Sequence, residues 1–249
     1  EAAAGHPFDG SVAAGEAVRI FTGAPLPEGS DAVVIQENTK AADGIVDVVA
    51  GEIDCGHVRP RGFDFAEGQE LLTSGRRLGP RELSLAAAMG HGTVDVHRSP
   101  VVAILATGDE LVLPGTMPGP GQIVCSNHLG VAALMRQAGA APRLLGIAHD
   151  TRESLAEHIE AARDADILIT IGGASVGDHD LVGPVLKSRG MTLDFWNIDM
   201  RPGKPLMYGR LSRQRVLGLP GNPVSSLICT RLFAVPLVEA MLGRLSATA

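Results

Sequence analysis

Four glycine-rich turns between Pro100 and Gly243 carry most of the chemically useful side chains of this chain. They are TGDEL (107–111), GGASVGDHD (172–180), RPGKP (201–205) and LPGNPVSS (219–226), and each follows an apolar, strand-like run. Where a buried strand ends in such a bend, backbone N–H groups are exposed and polar side chains arrive at the carboxyl edge of a sheet. That edge is where an α/β fold holds anionic ligands. Four such turns in order point to a purpose-built pocket for something phosphorylated.

In the first turn, Asp109 and Glu110 stand just past a strand end. They are either carboxylates aimed at a ligand or metal-bound water from the sheet's switch point, or ordinary turn and capping residues. In the second, Gly172 and Gly173 let a ligand approach the backbone and Ser175 adds a hydroxyl. Asp178, His179 and Asp180 then place two carboxylates and an imidazole within three residues. Oxygen donors beside a phosphate suit Mg²⁺, with waters completing its octahedron. The plainer alternative is that Asp180 caps the helix beginning at Leu181. Arg201 and Lys204 flank the Pro202-Gly203 bend, either as two fixed cations for a compact oxyanion or phosphate, or as a solvated basic turn. Asn222, Ser225 and Ser226 lie at a helix start, where free N–H groups favour an anion and where the same residues serve as caps. Taken as residues, Thr22, Asp64 and Asp150 read as turn and capping positions.

The elements that position these groups follow from the hydrophobic pattern. VVAILA (101–106) is an unalternating apolar run, as expected of a strand buried on both faces. Ser126 or Asn127 caps a helix running to Gly139, and APRLLGIA (141–148) is the next strand. Asp150 and Glu153 form a capping-box-like pair that opens a helix through about Arg163. DILITIGG (166–173), a helix ending near Gly190, TLDFWNI (192–198), a short PLMYG/RVLGL pair and a last helix despite Pro236 complete the series. Such alternation predicts a mainly parallel, doubly wound sheet with helices on both faces. Ahead of it, AVRIF (17–21), DAVVIQE (31–37) and IVDVVA (45–50) read as short strands, and PRELSLAAAMG as a helix with Pro80 at its first position and Gly90 as its stop. The expected domains are a β-rich part at 1–57, a linker and helical segment at 58–97, and an α/β domain at 98–245.

Composition excludes several classes. Hydrophobic residues make up 45% of the 249 and charged residues 20%, which supports a sizeable core and not a disordered chain. Lys plus Arg number 21 against 28 Asp plus Glu, a formal charge of −7 that argues against a general nucleic-acid or anionic-membrane binder. No apolar run approaches the ~20 residues that span a bilayer. The chain begins EAAAGHPFDG, with no initiator Met or signal segment, and is expected to be a fragment whose beginning is missing. Cys55, Cys125 and Cys229 lie far apart without a C-x-x-C pair, which fits a reducing compartment and no structural zinc site. There is no G-x-G-x-x-G in a strand–turn–helix setting, no P-loop and no G-x-S-x-G elbow, so nicotinamide, P-loop and α/β-hydrolase chemistry lack support.

VRIFTGAPLPEGSDAVVIQE, RPRGFD, VAILATGDEL, IVCSN, ITIGGASVGDHD, RPGKPL and LGLPGNPVSS occur in this order from about Gly15 to Gly243. Together they resemble the signature segments of the molybdopterin molybdenumtransferases, the MoeA and gephyrin E-domain family. TGDEL and GGASVGD alone would be shared with the smaller MoaB/MogA-type molybdopterin adenylyltransferases, whereas TGAPLP and RPRGFD point to the larger enzyme. The resemblance implies a MoaB/MogA-like molybdopterin-binding domain in an enzyme of molybdenum cofactor biosynthesis. That enzyme would be a cytoplasmic homodimer, with a molybdopterin adenylyltransferase as a further partner. It would take adenylylated molybdopterin and molybdate, insert the metal at the dithiolene, and release AMP with Mg²⁺ at the phosphates.

At matching positions, the resemblance makes Glu110 and Asp180 the acidic residues of the cleft and the ligands of Mg²⁺. Arg201 and Lys204 would hold molybdate. Gly172, Gly173 and Ser175, with Asn222 and Ser225, would cradle the pterin phosphate or nucleotide, and Thr22, Asp64 and Asp150 would complete the catalytic set. Cys125 stands where the family usually has Asp, and Arg201 where Lys is frequent. The family's N-terminal M-D-G-Y-A-like segment and C-terminal β domain are expected to be missing from the fragment. Three rival readings share these residues: adenylylation of molybdopterin from ATP, a non-catalytic molybdopterin-binding scaffold, and an unrelated Mg²⁺ phosphohydrolase built on the Asp178–Asp180 cluster.

Overall fold

Two units make up the chain in the computed structural model, Glu1–Leu71 and Leu72–Ala249. The structure describes residues 1–30, 32–48, 55–173 and 180–244, so Ser175, Asp178 and His179 lie outside the described residues. The first unit is held by a few backbone contacts and one hairpin. Parallel bridges join Ala2 to Ile20 and Ser11 to Glu28. Strand β1 (Thr39–Ala42) pairs with β2 (Ile45–Val48) antiparallel, from Thr39 opposite Val48 to Ala42 opposite Ile45. The two residues between them, Asp43 and Gly44, have φ of 52° and 78°. Two positive φ values in a two-residue loop match the twist of a hairpin, and Asp-Gly is a sequence that tolerates them.

This hairpin corrects part of the sequence reading. Residues 45–48 are a strand as expected, and their partner is TKAA, which was not among the expected strands. Residues 32–35 form no regular element, and Gln36–Asn38 is a 3₁₀ turn. AVRIF likewise makes a single bridge at Ile20 and no strand. A β-branched run becomes a strand when a neighbour completes its ladder, and no described segment does so here.

In the second unit, α1 (Pro80–Ala88) begins where expected. Glu82 accepts from the Gly79 backbone N–H at 3.0 Å and takes Arg76 at 2.7 Å, and Pro80 occupies the first turn, where its missing N–H costs nothing. The remaining elements run β3 (Val101–Thr107), β4 (Leu111–Val112), β5 (Ile123–Val124), α2 (Asn127–Ala138), β6 (Ala141–Ala148), α3 (Arg152–Ala161), β7 (Ile167–Ile171), α4 (Val182–Ser188), β8 (Thr192–Trp196), β9 (Met207–Leu211) and β10 (Gln214–Leu219). Six strands form one sheet in the order β6-β3-β7-β10-β9-β8. β6, β3, β7 and β10 are mutually parallel, while β9 runs antiparallel to both β10 and β8.

Both faces of the sheet are covered, which is why its strands read as continuous apolar runs. Val102 and Ile104 of β3 pack with Ile167, Ile169 and Leu217 against α2 and the C-terminal helix. Ala103 and Leu105 point the other way, to Leu155 and Ile159 of α3 and Val185 and Leu186 of α4. Each fully buried Leu or Ile contributes roughly 1.5–3 kcal/mol of transfer free energy.

Two local readings are corrected here. Helix α3 is capped by Thr151, whose hydroxyl accepts from the Ser154 N–H at 3.2 Å, and not by an Asp150–Glu153 box. The C-terminal helical run Pro223–Met241 comprises α5 (Pro223–Cys229), a π-helical turn (Thr230–Ala234) and α6 (Val235–Met241). With 19 residues and mean hydropathy 1.5, it is long and apolar enough to cross a membrane by length and composition, so an apolar run of that size is present after all. Its Cys229, Ala234, Val235 and Val238 lie in the core against the sheet.

Candidate functional site

The strand order creates a switch point. From β3 the chain crosses to β6 on one side and later returns to β7 on the other, so the loops leaving β3 and β7 diverge and open a crevice at their carboxyl ends. The floor is pinned by backbone bonds: Gly108 N–H to Ala148 O at 3.2 Å, and Gly172 N–H to Leu219 O at 3.1 Å. Thr107 is buried and its hydroxyl donates to Ile171 O at 3.5 Å. A Cβ on Gly172 would lie 2.7 Å from Thr107 O, and one on Gly173 would lie 3.2 Å from Thr107 Oγ1 and 3.4 Å from Asp180 Oδ1. No side chain larger than hydrogen fits between these loops, so the backbone itself lines the crevice.

Five loops reach this edge. The registers Ile171–Leu219, Gly218–Met207 and Trp196–Met207 place the β8–β9 connection, with Arg201 and Lys204, at the same edge as Gly172 and Asn222. Both cations are exposed, and their loop is anchored by Ile198 N–H to Lys204 O and Asn197 N–H to Leu206 O, each at 2.9 Å. Gly203, with φ 115°, packs where a Cβ would strike Cys229 Sγ at 2.6 Å. At the strand spacing of ~4.8 Å, the cationic loop at β9 and β8 stands roughly 14–19 Å from β3. Charges that far apart in water do not neutralise one another, so the edge offers an acidic end, a glycine-lined middle and a basic end.

The acidic end is built from two turns. The Glu110 carboxylate folds back against Gly108, close enough to clash with any Cβ there. Asp109 Oδ1 accepts from the Asp150 N–H at 3.2 Å and Asp150 Oδ2 from the Asp109 N–H at 3.4 Å, so the two aspartates tie the ends of β3 and β6 reciprocally. His149 Nδ1 lies 3.0 Å from Asp109 Oδ1. The imidazole, followed by the Asp150 N–H, holds the Asp109 carboxyl below the usual carboxylate range. Under the Glu110 turn, Cys125 Sγ lies 3.0 Å from His128 Nδ1, with both side chains buried. Burial raises the Cys125 pKa, with the Glu110 carboxylate adding to it, and burial lowers that of His128.

The other expected site residues divide by role. Asp180, one residue before the Leu181 N-cap of α4, accepts from the Val182 N–H through Oδ1 at 3.1 Å while also bordering Gly173. Asn222 caps α5, accepting from the Ser225 N–H at 3.1 Å and from its hydroxyl at 3.3 Å. Thr22 and Asp64 are exposed residues of the first unit, Thr22 within the bend closed by Ala24 N–H to Phe21 O at 3.0 Å and Asp64 just after the one closed by Phe63 N–H to Pro60 O at 3.1 Å. Among the described residues no group of three or more His, Cys, Asp or Glu could hold a metal ion by itself. Glu110 and Asp180 flank the Thr107–Gly173 step as hard oxygen donors. Such a pair suits Mg²⁺ once phosphate and water oxygens complete the shell.

Sequence reasoning missed His149, the Cys125–His128 pair, and the bond that Asn127 Nδ2 donates to Gly221 O at 2.7 Å. The Cys-x-x-His spacing at a helix start was the one local signal. The partners of His149 and Asn127 lie 40 and 94 positions away, so nothing in the local sequence marks them.

Comparison with known proteins agrees with this architecture. Residues 103–240 match the family described as "Probable molybdopterin binding domain", and residues 1–90 match the "MoeA N-terminal region (domain I and II)". A molybdopterin molybdenumtransferase of Nostoc sp. is 40% identical over 92% of this chain and 53% of the relative. One from Haemophilus influenzae is 37% identical over 97% of this chain and 60% of the relative. The crystal structure of a MoeA protein from Pyrococcus horikoshii superposes with a TM-score of 0.80 at 34% identity, covering 98% of this chain and 61% of that one. The chain thus spans about half to three fifths of the length of the relatives it matches. With a MoeA N-terminal region ahead of a sheet domain of the molybdopterin-binding type, it belongs to the MoeA and gephyrin E-domain family.

Proposed function

We propose that the protein acts in molybdenum cofactor biosynthesis as a molybdopterin molybdenumtransferase, inserting molybdate into adenylylated molybdopterin with release of AMP. The observation that carries this reading is the segregation of charge along one sheet edge, with carboxylates at β3 and β6, glycines at β7 and two cations between β8 and β9. A substrate bearing a pyrophosphate at one point and receiving a dianionic oxometalate at another needs such a division. A single phosphate does not.

On this reading the Gly172-Gly173 backbone cradles the phosphates, and Arg201 and Lys204 hold molybdate against the dithiolene by two fixed, charge-assisted contacts. Glu110 and Asp180 would hold Mg²⁺, which supplies charge neutralisation at the phosphates when bound. Asp150 orients the Asp109–Glu110 turn, and Asn222 and Ser225 fix the loop that meets Gly172. Thr22 and Asp64 are further catalytic residues on the same reading. The cytoplasmic homodimer, and an adenylyltransferase as partner, belong to the same proposal.

The test is AMP release from adenylylated molybdopterin with Mg²⁺, with and without molybdate, on the full-length protein and on Asp180→Asn. Molybdate-triggered release, lost in the variant, is the expected result. ATP consumption without molybdate dependence would favour the adenylyltransferase, and tight binding without turnover would favour the scaffold.

A further inference from the structure

His149 lies outside every role assigned above, yet its ring occupies the acidic end of the site. It follows β6, and its Nδ1 reaches Asp109 Oδ1 on the loop after β3, so the imidazole leans across one strand toward the switch-point crevice. A carboxylate accepts and never donates, which places the ring hydrogen on Nδ1 and leaves the Nε2 lone pair facing outward. The side chain is 76% exposed, so Nε2 is open to water and ligand. Its backbone is fixed by His149 N–H to Ser154 Oγ at 3.1 Å, and Asp109 is fixed by the Asp150 N–H. An ion pair this exposed adds little to stability. The arrangement instead orients one imidazole nitrogen at the acidic end of the edge, two strands from the Gly172-Gly173 turn.

We propose that His149 is a further catalytic residue, the base that takes a proton from the water attacking the adenylate's phosphoanhydride, with Asp109 as its positioning residue. The inference rests on the molybdenumtransferase reading. In the step, a water oxygen bonds to phosphorus, the bridging P–O bond breaks, AMP and the molybdopterin phosphate separate, and the water's proton goes to His149 Nε2. No oxidant or further reactant is required. Asp109 lies against the ring at 3.0 Å, Asp150 follows His149 in the chain, and Arg152 and Glu153 open α3 directly after.

The experiment measures molybdate-dependent AMP release against pH for the full-length protein, His149→Gln, Asp109→Asn, and His149→Ala with and without added imidazole. His149→Gln is expected to lower kcat about 100-fold with KM for the adenylate within about twofold. It should also abolish the acid limb of the rate profile, Asp109→Asn should weaken that limb, and imidazole should restore part of the activity of His149→Ala. A wild-type rate and profile in His149→Gln, or a loss confined to KM, overturns the proposal while the transferase reading stands. Absence of AMP release from the wild-type protein overturns both.

Discussion

A Cβ on Gly172 would lie 2.7 Å from the carbonyl oxygen of Thr107, so the loops leaving β7 and β3 meet backbone to backbone at the floor of the site. Gly172 also sits at φ 92°, a conformation L side chains avoid. Gly172→Ala therefore combines backbone strain with a clash against an atom that cannot move aside, and is expected to cost about 2–4 kcal/mol. Gly146, at φ 90° in the bulge of β6, has open space where a methyl group would sit, with no atom within 4 Å. Gly146→Ala should therefore cost only the strain, about 1–2 kcal/mol. Urea midpoints of the two variants measure the difference.

The buried Cys125–His128 pair makes stability pH-dependent. Burial lowers the folded-state pKa of His128, so the unfolded chain binds more protons as pH falls through the ordinary imidazole range. Stability is complete above that range and is lost on acidification toward the lower folded value. The slope should vanish in His128→Gln, read from denaturant midpoints across pH. The Cys125 thiol, pushed up by burial first of all, should resist iodoacetamide in the native protein and react after unfolding.

Thr170 is fully buried in β7, and its hydroxyl has no hydrogen-bond partner among the described residues. Valine has nearly the same shape without the unsatisfied group. Thr170→Val is expected to raise stability by about 1 kcal/mol, seen as a higher Tm, with the register of β7 unchanged.

The exposed cations can be removed without disturbing the core. On the transferase reading, Arg201→Gln and Lys204→Gln should raise the molybdate concentration needed for half-maximal AMP release at least tenfold, about 1.4 kcal/mol. Affinity for the adenylate should stay within about twofold, because the glycine cradle lies strands away. Titration of both ligands against each variant checks the separation.

Much of the second unit was legible in the sequence because its strands are local, unbroken apolar runs and its helices carry their own stops. β3, β6 and β7 fall where the runs VVAILA, APRLLGIA and DILITIGG predict, and Gly139 ends α2 at φ 101°. The first unit was less legible. Its hairpin depended on the Asp43-Gly44 turn, while the more hydrophobic DAVVIQE found no ladder among the described residues.

By itself the sequence determined which residues carry charge, which bends expose backbone, and which segments must be buried, since these follow from side-chain chemistry and short-range periodicity. Strand order belongs to the tertiary structure, because pairing joins segments far apart in the chain through contacts that no local pattern encodes. That order set Arg201 and Lys204 on the same edge as Gly172, brought Asp109 to Asp150 and His149 across 40 residues, and turned a row of separate loops into one site.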